Sequence, residues 1–271
     1  MNFVKFICLL LAIALLLFGG YVAMSFFGNP LVLLSVNDAA EAYINEKYPD
    51  RNFVVEDAFF DFKLVDYVVN IHDPDLVDCY FSLYYDAEGK LVSDTYADGY
   101  LSGFNTGARI DGAYRSLTDT VFNSEAFDFN ASIAYGIIEF TDKADGDPDR
   151  EYSIPYSSLT LNGEFTTKEY GERAGALVIY IVTEDVSAEA MASTLLAIRE
   201  VFDAANVPFR AIDLTLTVEE YRANEGISIL AFDYEDIYEE GLMERVNTAI
   251  DETEQYYDRL DAEKEAELKG E

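Results

Sequence analysis

The 271-residue chain has no tryptophan, one histidine (His72), two cysteines (Cys8 and Cys79) and six prolines. Two cysteines cannot build a disulfide framework, and without a CxxC pair a zinc ribbon or a thioredoxin-type redox site is excluded. Basic residues are also scarce: 18 Lys plus Arg stand against 52 Asp plus Glu, a formal net charge of −34. Binding a polyanion begins with cations displacing counterions from phosphates, so this balance argues against nucleic acid as a partner. Anionic lipid headgroups are repelled too, whereas cations and basic proteins are not. No glycine-rich segment has P-loop or dinucleotide spacing, and GxSxG and HExxH are absent, which argues against nucleotide chemistry and the common hydrolase designs. Paired carboxylates for glycoside hydrolysis depend on separation in space and stay open. The missing tryptophan counts mildly against carbohydrate processing.

What is present begins with the leader. Residues 6–27, FICLLLAIALLLFGGYVAMSFF, carry no charge, and as a helix they would extend roughly 33 Å, enough for a bilayer core. Lys5 precedes the run and the first charges after it are acidic, Asp38 and Glu41. The positive-inside rule then predicts a cytoplasmic N-terminus at 1–5, a single span at 6–27 and an extracytoplasmic body. The competing reading is a cleaved signal peptide. The run is longer than the usual h-region, and the only small-x-small site is Ala23-Met24-Ser25. Cys8 arrives too early for a lipoprotein. All these readings export the remainder of the chain.

Beyond the leader the pattern predicts an α+β protein of two small modules, 28–140 and 154–257, divided by an acidic, Gly- and Pro-punctuated linker at 141–153 and followed by a charged tail at 258–271. In the first module Val36, Ala39, Ala40, Tyr43 and Ile44 form one apolar stripe, with Ser35 or Asn37 as the expected cap and Pro49 as the stop. Strands are expected over 53–62, 66–72, 78–85 and 90–96 as an antiparallel meander, with Gly89 in the DAEGK turn, and a helix over 107–123. In the second module ALVIYIV (176–182) reads as a strand buried on both faces. A helix capped by Ser187 and an alternating strand at 209–217 follow, predicting a parallel crossover. ISILAFDY and an acid-led helix DIYEEGLMERVNTAIDE complete a βαββα layer.

Two clusters invite a chemical reading. His72 lies between Asn70 and Asp73, where a base flanked by carboxylates would be poised near neutral pH. No nucleophile-bearing motif accompanies it, and a surface histidine at a strand end is the simpler account. Asp145, Asp147, Asp149 and Glu151 alternate as calcium-loop ligands do. Gly146 falls inside the triplet rather than at the sixth position, and Tyr156 stands where the bidentate glutamate is needed, so a solvated acidic loop is favoured over a Ca2+ site. No other cofactor is implied. The 39 Tyr and Phe read as core and cross-strand pairs.

GNP after the leader, NEKYP (45–49), FFDFK, VDYVVNI and YYDAEGKLVSDTY together resemble the N-terminal part of the YfjL-like family of membrane-anchored bacterial proteins. VPFRAIDLTL and FDYEDIYEEGLMERV resemble that family's C-terminal domain. The resemblance covers most of the exported chain and implies an anchored two-domain architecture, without implying an activity. The helix-and-strand opening is also similar, more loosely, to PepSY-type modules, which implies peptidase regulation or envelope interactions. The expectation is therefore a non-enzymatic binding or regulatory protein of the cell envelope, with an envelope protein or peptide as partner. Its alternative is an extracytoplasmic divalent-cation-binding protein or hydrolase that uses its acidic clusters.

Overall fold

The computed structural model describes residues 3–147, 150–219 and 226–269. The chain is mixed α+β and opens with a long apolar helix, α1 (Phe3–Phe27). It is long and apolar enough to cross a membrane, and among its described residues none in the apolar window is buried by the rest of the chain. With α1 included, the described chain forms two compact units, residues 3–106 with 160–162, and residues 107–159 with 163–269. The acidic stretch 141–153, expected as the divider, lies inside the second unit. It joins two short strands that pair with each other, Phe140 opposite Ile154 and Thr141 opposite Pro155.

In the first unit, α2 (Pro30–Lys47) starts at Asn29, whose side chain accepts from the Leu31 N–H, with Pro30 in the first turn where its missing N–H costs nothing. Neither Ser35 nor Asn37 caps it. Ser35 Oγ donates to the Val32 carbonyl, and Asn37 Oδ1 accepts from the Ala58 N–H, 21 residues away. A cap at 35 or 37 is the natural reading when the apolar stripe is sought from Val36. The helix in fact begins with PLVLL, which the leader's own hydropathy masks.

The antiparallel sheet of this unit comprises β1 (Val54–Val55), β2 (Phe59–Asp61), β3 (Asp66–His72), β4 (Tyr80–Tyr85) and β5 (Leu91–Asp94), ordered β1-β3-β4-β5 with β2 also on β3. Period-2 alternation sends Tyr67, Val69 and Ile71 to one face with Phe81 and Leu83, where they meet Val36, Ala40 and Ile44 of α2. The β4–β5 turn places Gly89 at φ +78°, and Asp86 Oδ1 accepts from the Glu88 and Lys90 N–H groups. A π-helical segment, Tyr96–Leu101, follows.

In the second unit a four-stranded sheet runs in the order β11-β10-β9-β6, from β6 (Ala131–Ile138), β9 (Gly175–Val182), β10 (Ala211–Thr217) and β11 (Ile227–Asp233), the short strands Phe140–Thr141 and Ile154–Pro155 being β7 and β8. β9 and β10 are parallel, and the other two pairings are antiparallel. Leu177, Ile179, Ile181, Ile212, Leu214 and Leu216 face one way, against the stripe Met191, Leu195, Ile198 and Phe202 of α5 (Ala188–Ala204). Ser187 caps α5, its Oγ accepting from the Ala190 N–H at 3.2 Å. Helix α3 (Phe104–Phe122) adds Val121 to this core, and Thr118 packs so close to Gly136 of β6 that any Cβ there would collide with it. A short helix, α4 (Thr167–Ala174), leads into β9.

The last helix, α6, spans Leu242–Lys269 rather than starting among the acids at 236–240. Gly241 at φ +71° turns the chain just before it, so Glu244 is its only first-turn acid. Its opening turns bury Leu242 and Val246 in the core. Its later turns pass the β11 edge, where Thr253 Oγ1 accepts the outward Leu230 N–H at 3.1 Å. This satisfies a donor that an edge strand otherwise leaves open.

Candidate binding groove on the second sheet face

Because side chains alternate across a strand, the sheet of the second unit has a face opposite its apolar core, carrying Tyr135, Val178, Tyr180, Asp213, Thr215 and Ser228 at registered positions. Thr215 and Ser228 share a hydroxyl hydrogen bond of 2.8 Å across the β10–β11 pair.

Asp213 organises this face. Its Oδ2 accepts from Arg150 Nη2 at 2.7 Å and its Oδ1 from the backbone N–H of Ala231 at 2.6 Å. Ala231 sits in a register shift between β10 and β11 with φ +50°, a left-handed conformation that non-glycine residues seldom adopt. The carboxylate supplies the acceptor that the irregular ladder denies this N–H. The other arm of the guanidinium reaches Glu139 Oε1 at 3.1 Å and donates to the Tyr152 hydroxyl at 2.8 Å.

Burial pushes the Glu139 carboxyl above its ordinary range, against the pull of the Arg150 charge, and pushes the Tyr152 phenol up to about 12. Burial also works against the Arg150 charge, but the hydrogen bond and charge of Asp213 outweigh it and hold the guanidinium firmly protonated. One cation therefore bridges two largely buried carboxylates. Such a cluster fixes geometry, because removing Arg150 would strand two carboxylates in a poorly solvated place.

Beside this network the later turns of α6 and the sheet enclose a groove of about 480 Å3, within the range of roughly 300–1,000 Å3 typical of ligand clefts. Tyr180 and Ser228 line it from the sheet, and Thr253, Glu254, Tyr257 and Asp261 from α6. Burial raises the Tyr257 phenol, reinforced by Tyr180 and Asp213. A smaller cavity of about 230 Å3 lies alongside and is reached by Arg150, Glu252, Tyr256 and Arg259. The groove thus offers tyrosine rings and carboxylates beside the aliphatic side chains of Ile227 and Ile250.

The sequence-derived candidates lie elsewhere. Asp147 is paired with Lys143 at 2.9 Å, Asp145 and Glu151 are exposed, and Asp149 falls outside the described residues. Among the described residues no three acidic, histidine or cysteine side chains converge as a metal site would require. His72 ends β3 opposite Val54 and Tyr80, its Nδ1 3.4 Å from Glu56 Oε1. The Arg150 network escapes sequence reading because its partners are 63 and 11 residues away and β6, the strand leading to Glu139, lacks clean alternation. One signal was available: an arginine inside an Asp-rich run needs a counter-charge only if it is buried, and IDL in 212–214 points an aspartate away from an apolar face.

Two family models match the chain: the YfjL-like N-terminal domain over residues 3–82 and the YfjL-like C-terminal domain over residues 113–247. The chain belongs to the YfjL-like family. It matches no curated protein and no solved structure. The YfjL-like C-terminal match includes all four strands under the groove, Arg150 and Asp213. The groove-lining part of α6, from Ile250 onward, lies past its end.

Proposed function

We propose that this YfjL-like chain is a single-pass membrane protein with two extracytoplasmic α+β modules, and that it binds a cationic segment of an envelope protein or peptide without catalysing a reaction on it. The observation that carries this reading is the groove under α6. Its lining combines aromatic faces and carboxylates, while the titratable groups beside it are spent on one another in the Arg150, Glu139 and Asp213 cluster. A catalytic acid or base needs access to substrate. A carboxylate bound to an arginine and aimed at a bulge serves shape instead. The net charge of −34 supports a basic partner, since the field of the body draws cations toward it.

Anchoring is supported by α1, and the extracytoplasmic placement by Lys5 before the apolar run and acids after it. The test is photo-crosslinking in intact membranes from a benzoylphenylalanine placed at 257. The reading expects a discrete adduct that Glu254→Lys abolishes and that a probe at exposed Ser158 does not give. Equal, diffuse labelling from both positions overturns it.

A further inference from the structure

The end of the apolar helix meets an apolar hairpin. Phe26, the penultimate residue of α1, packs its ring against Phe62 with centroids 5.8 Å apart. Two residues past the helix, the Asn29 N–H donates to the Tyr67 hydroxyl at 2.7 Å, which joins the break between α1 and α2 to β3. Between β2 and β3 the chain turns through Phe62-Lys63-Leu64-Val65. Phe62, Leu64 and Val65 are 51, 57 and 57% exposed, and Lys63 is exposed among them. Phe27, Leu31 and Leu34, on the flanking ends of α1 and α2, are more exposed still.

The hairpin is built to hold these side chains out. Asp61 Oδ1 accepts from the Lys63 and Leu64 N–H groups, and the Asp61 carbonyl accepts from the Val65 N–H at 2.8 Å. Val65 consequently adopts φ +62°, a conformation that a β-branched residue strongly resists and that glycine or asparagine would take freely. In water an exposed valine at a strained position gains nothing. In an apolar medium each of the three side chains removes hydrocarbon from water, at roughly 25 cal/mol per Å2.

We infer that the Phe62–Val65 hairpin is a second membrane contact, seated in the interfacial layer of the bilayer beside the point where α1 leaves it. The inference rests on the anchored reading proposed above. Continuity with α1 selects the bilayer as the occupant: any surface that continues the lipid-facing wall of Phe26 and Phe27 reaches Phe62 next. The contact is apolar by necessity, because a body carrying −34 is repelled by anionic headgroups. Lys63 extends its ammonium to the headgroup level from an otherwise greasy tip, as lysines at membrane boundaries do. The seating is therefore insensitive to salt and does not require anionic lipid.

The test uses the full chain in phosphatidylcholine vesicles, in a Cys8→Ser background whose remaining native thiol, Cys79, is buried. An environment-sensitive fluorophore is attached at Leu64→Cys, at Leu15→Cys within α1, or at Glu46→Cys, about 24 Å further along α2 from Pro30. Spin-labelled lipids then quench from shallow or deep positions. The inference expects several-fold stronger shallow quenching at 64 than at 46, unchanged in high salt, with deep quenching at 15. Deep quenching at 15 with 64 no different from 46 overturns the hairpin contact and leaves the anchor standing. No quenching at 15 overturns the anchor and the hairpin with it.

Discussion

The Asp213 carboxylate takes the backbone N–H of Ala231, 18 residues away, at 2.6 Å and so holds an alanine at φ +50° in the middle of a β-ladder. Left-handed backbone costs an L-residue about 1–2 kcal/mol, whereas glycine pays about 0.5–1 kcal/mol in unfolded-state entropy. Ala231→Gly is therefore expected to stabilise the protein by ~0.5 kcal/mol, read as an upward shift of the urea midpoint at unchanged slope.

Asp213→Ala removes the shorter of the two carboxylate contacts of Arg150 as well as the bulge acceptor, and it is expected to cost about 2 kcal/mol, since Glu139 still faces the guanidinium while the Ala231 N–H loses its partner. Asp213→Asn keeps an acceptor for Ala231 and should cost less. Equal losses for the two variants would show that the Ala231 contact contributes nothing.

A second cluster makes the first unit sensitive to pH. Tyr43, Lys47 and Tyr48 converge on Asp94 Oδ2 at 2.8, 2.7 and 2.9 Å. Burial alone would raise the Asp94 carboxyl, but the hydrogen bonds from Lys47, the Tyr96 N–H and the two tyrosines outweigh it and hold it below its ordinary value. A depressed folded pKa gives stability that is present above the unfolded value, about 3.9, and lost as pH falls through the folded value. Lys47 is raised, chiefly by its Asp94 hydrogen bond, so its contribution is present below about 10.4 and lost as pH rises through the folded value. The melting temperature of Asp94→Asn should fall short of the parent at neutral pH and converge with it in strong acid. A constant gap through pH 3 would refute the assignment.

Cys79 is buried under the first sheet, and burial pushes its thiol up to about 11, against the pull of Arg51. Protonated and occluded, it should react with maleimide only when the first unit opens. In the Cys8→Ser background, labelling rates should track denaturant-induced unfolding; rapid labelling of the native protein would place Cys79 at a surface.

Calcium and a chelator should leave the melting temperature unmoved, because Asp147 is committed to Lys143 and Asp145 and Glu151 lie in solvent. A shift that saturates at low ion concentration would restore a specific site in the 145–151 loop.

Legibility from the sequence followed the range of the interactions. The Gly89 turn, the Ser187 cap and the strand at 176–182 are local signals, and each appears in the structure where its residues predict it, although the strand is fully buried on one face only, with Val178, Tyr180 and Val182 partly exposed on the other. β6 was not legible, since ASIAYGII has no alternation until the sheet supplies one face and Thr118 presses on the other. Nor was the eight-residue α4. The groove combines both limits: its floor is written in alternating strands, but its wall is a helix whose acidic, tyrosine-bearing turns read as a solvated tail. Arg150 could be seen as a lone cation among acids, while Glu139 and Asp213 became its partners only through the sheet.

Gly28, at φ +71°, has the rings of Phe60 and Tyr67 so near that even a methyl group in its place would strike both. With Asn29 fastened to Tyr67, this joint is a bracket rather than a swivel. A force applied along α1 would be delivered to the central strand of the first sheet instead of being absorbed by a slack tether.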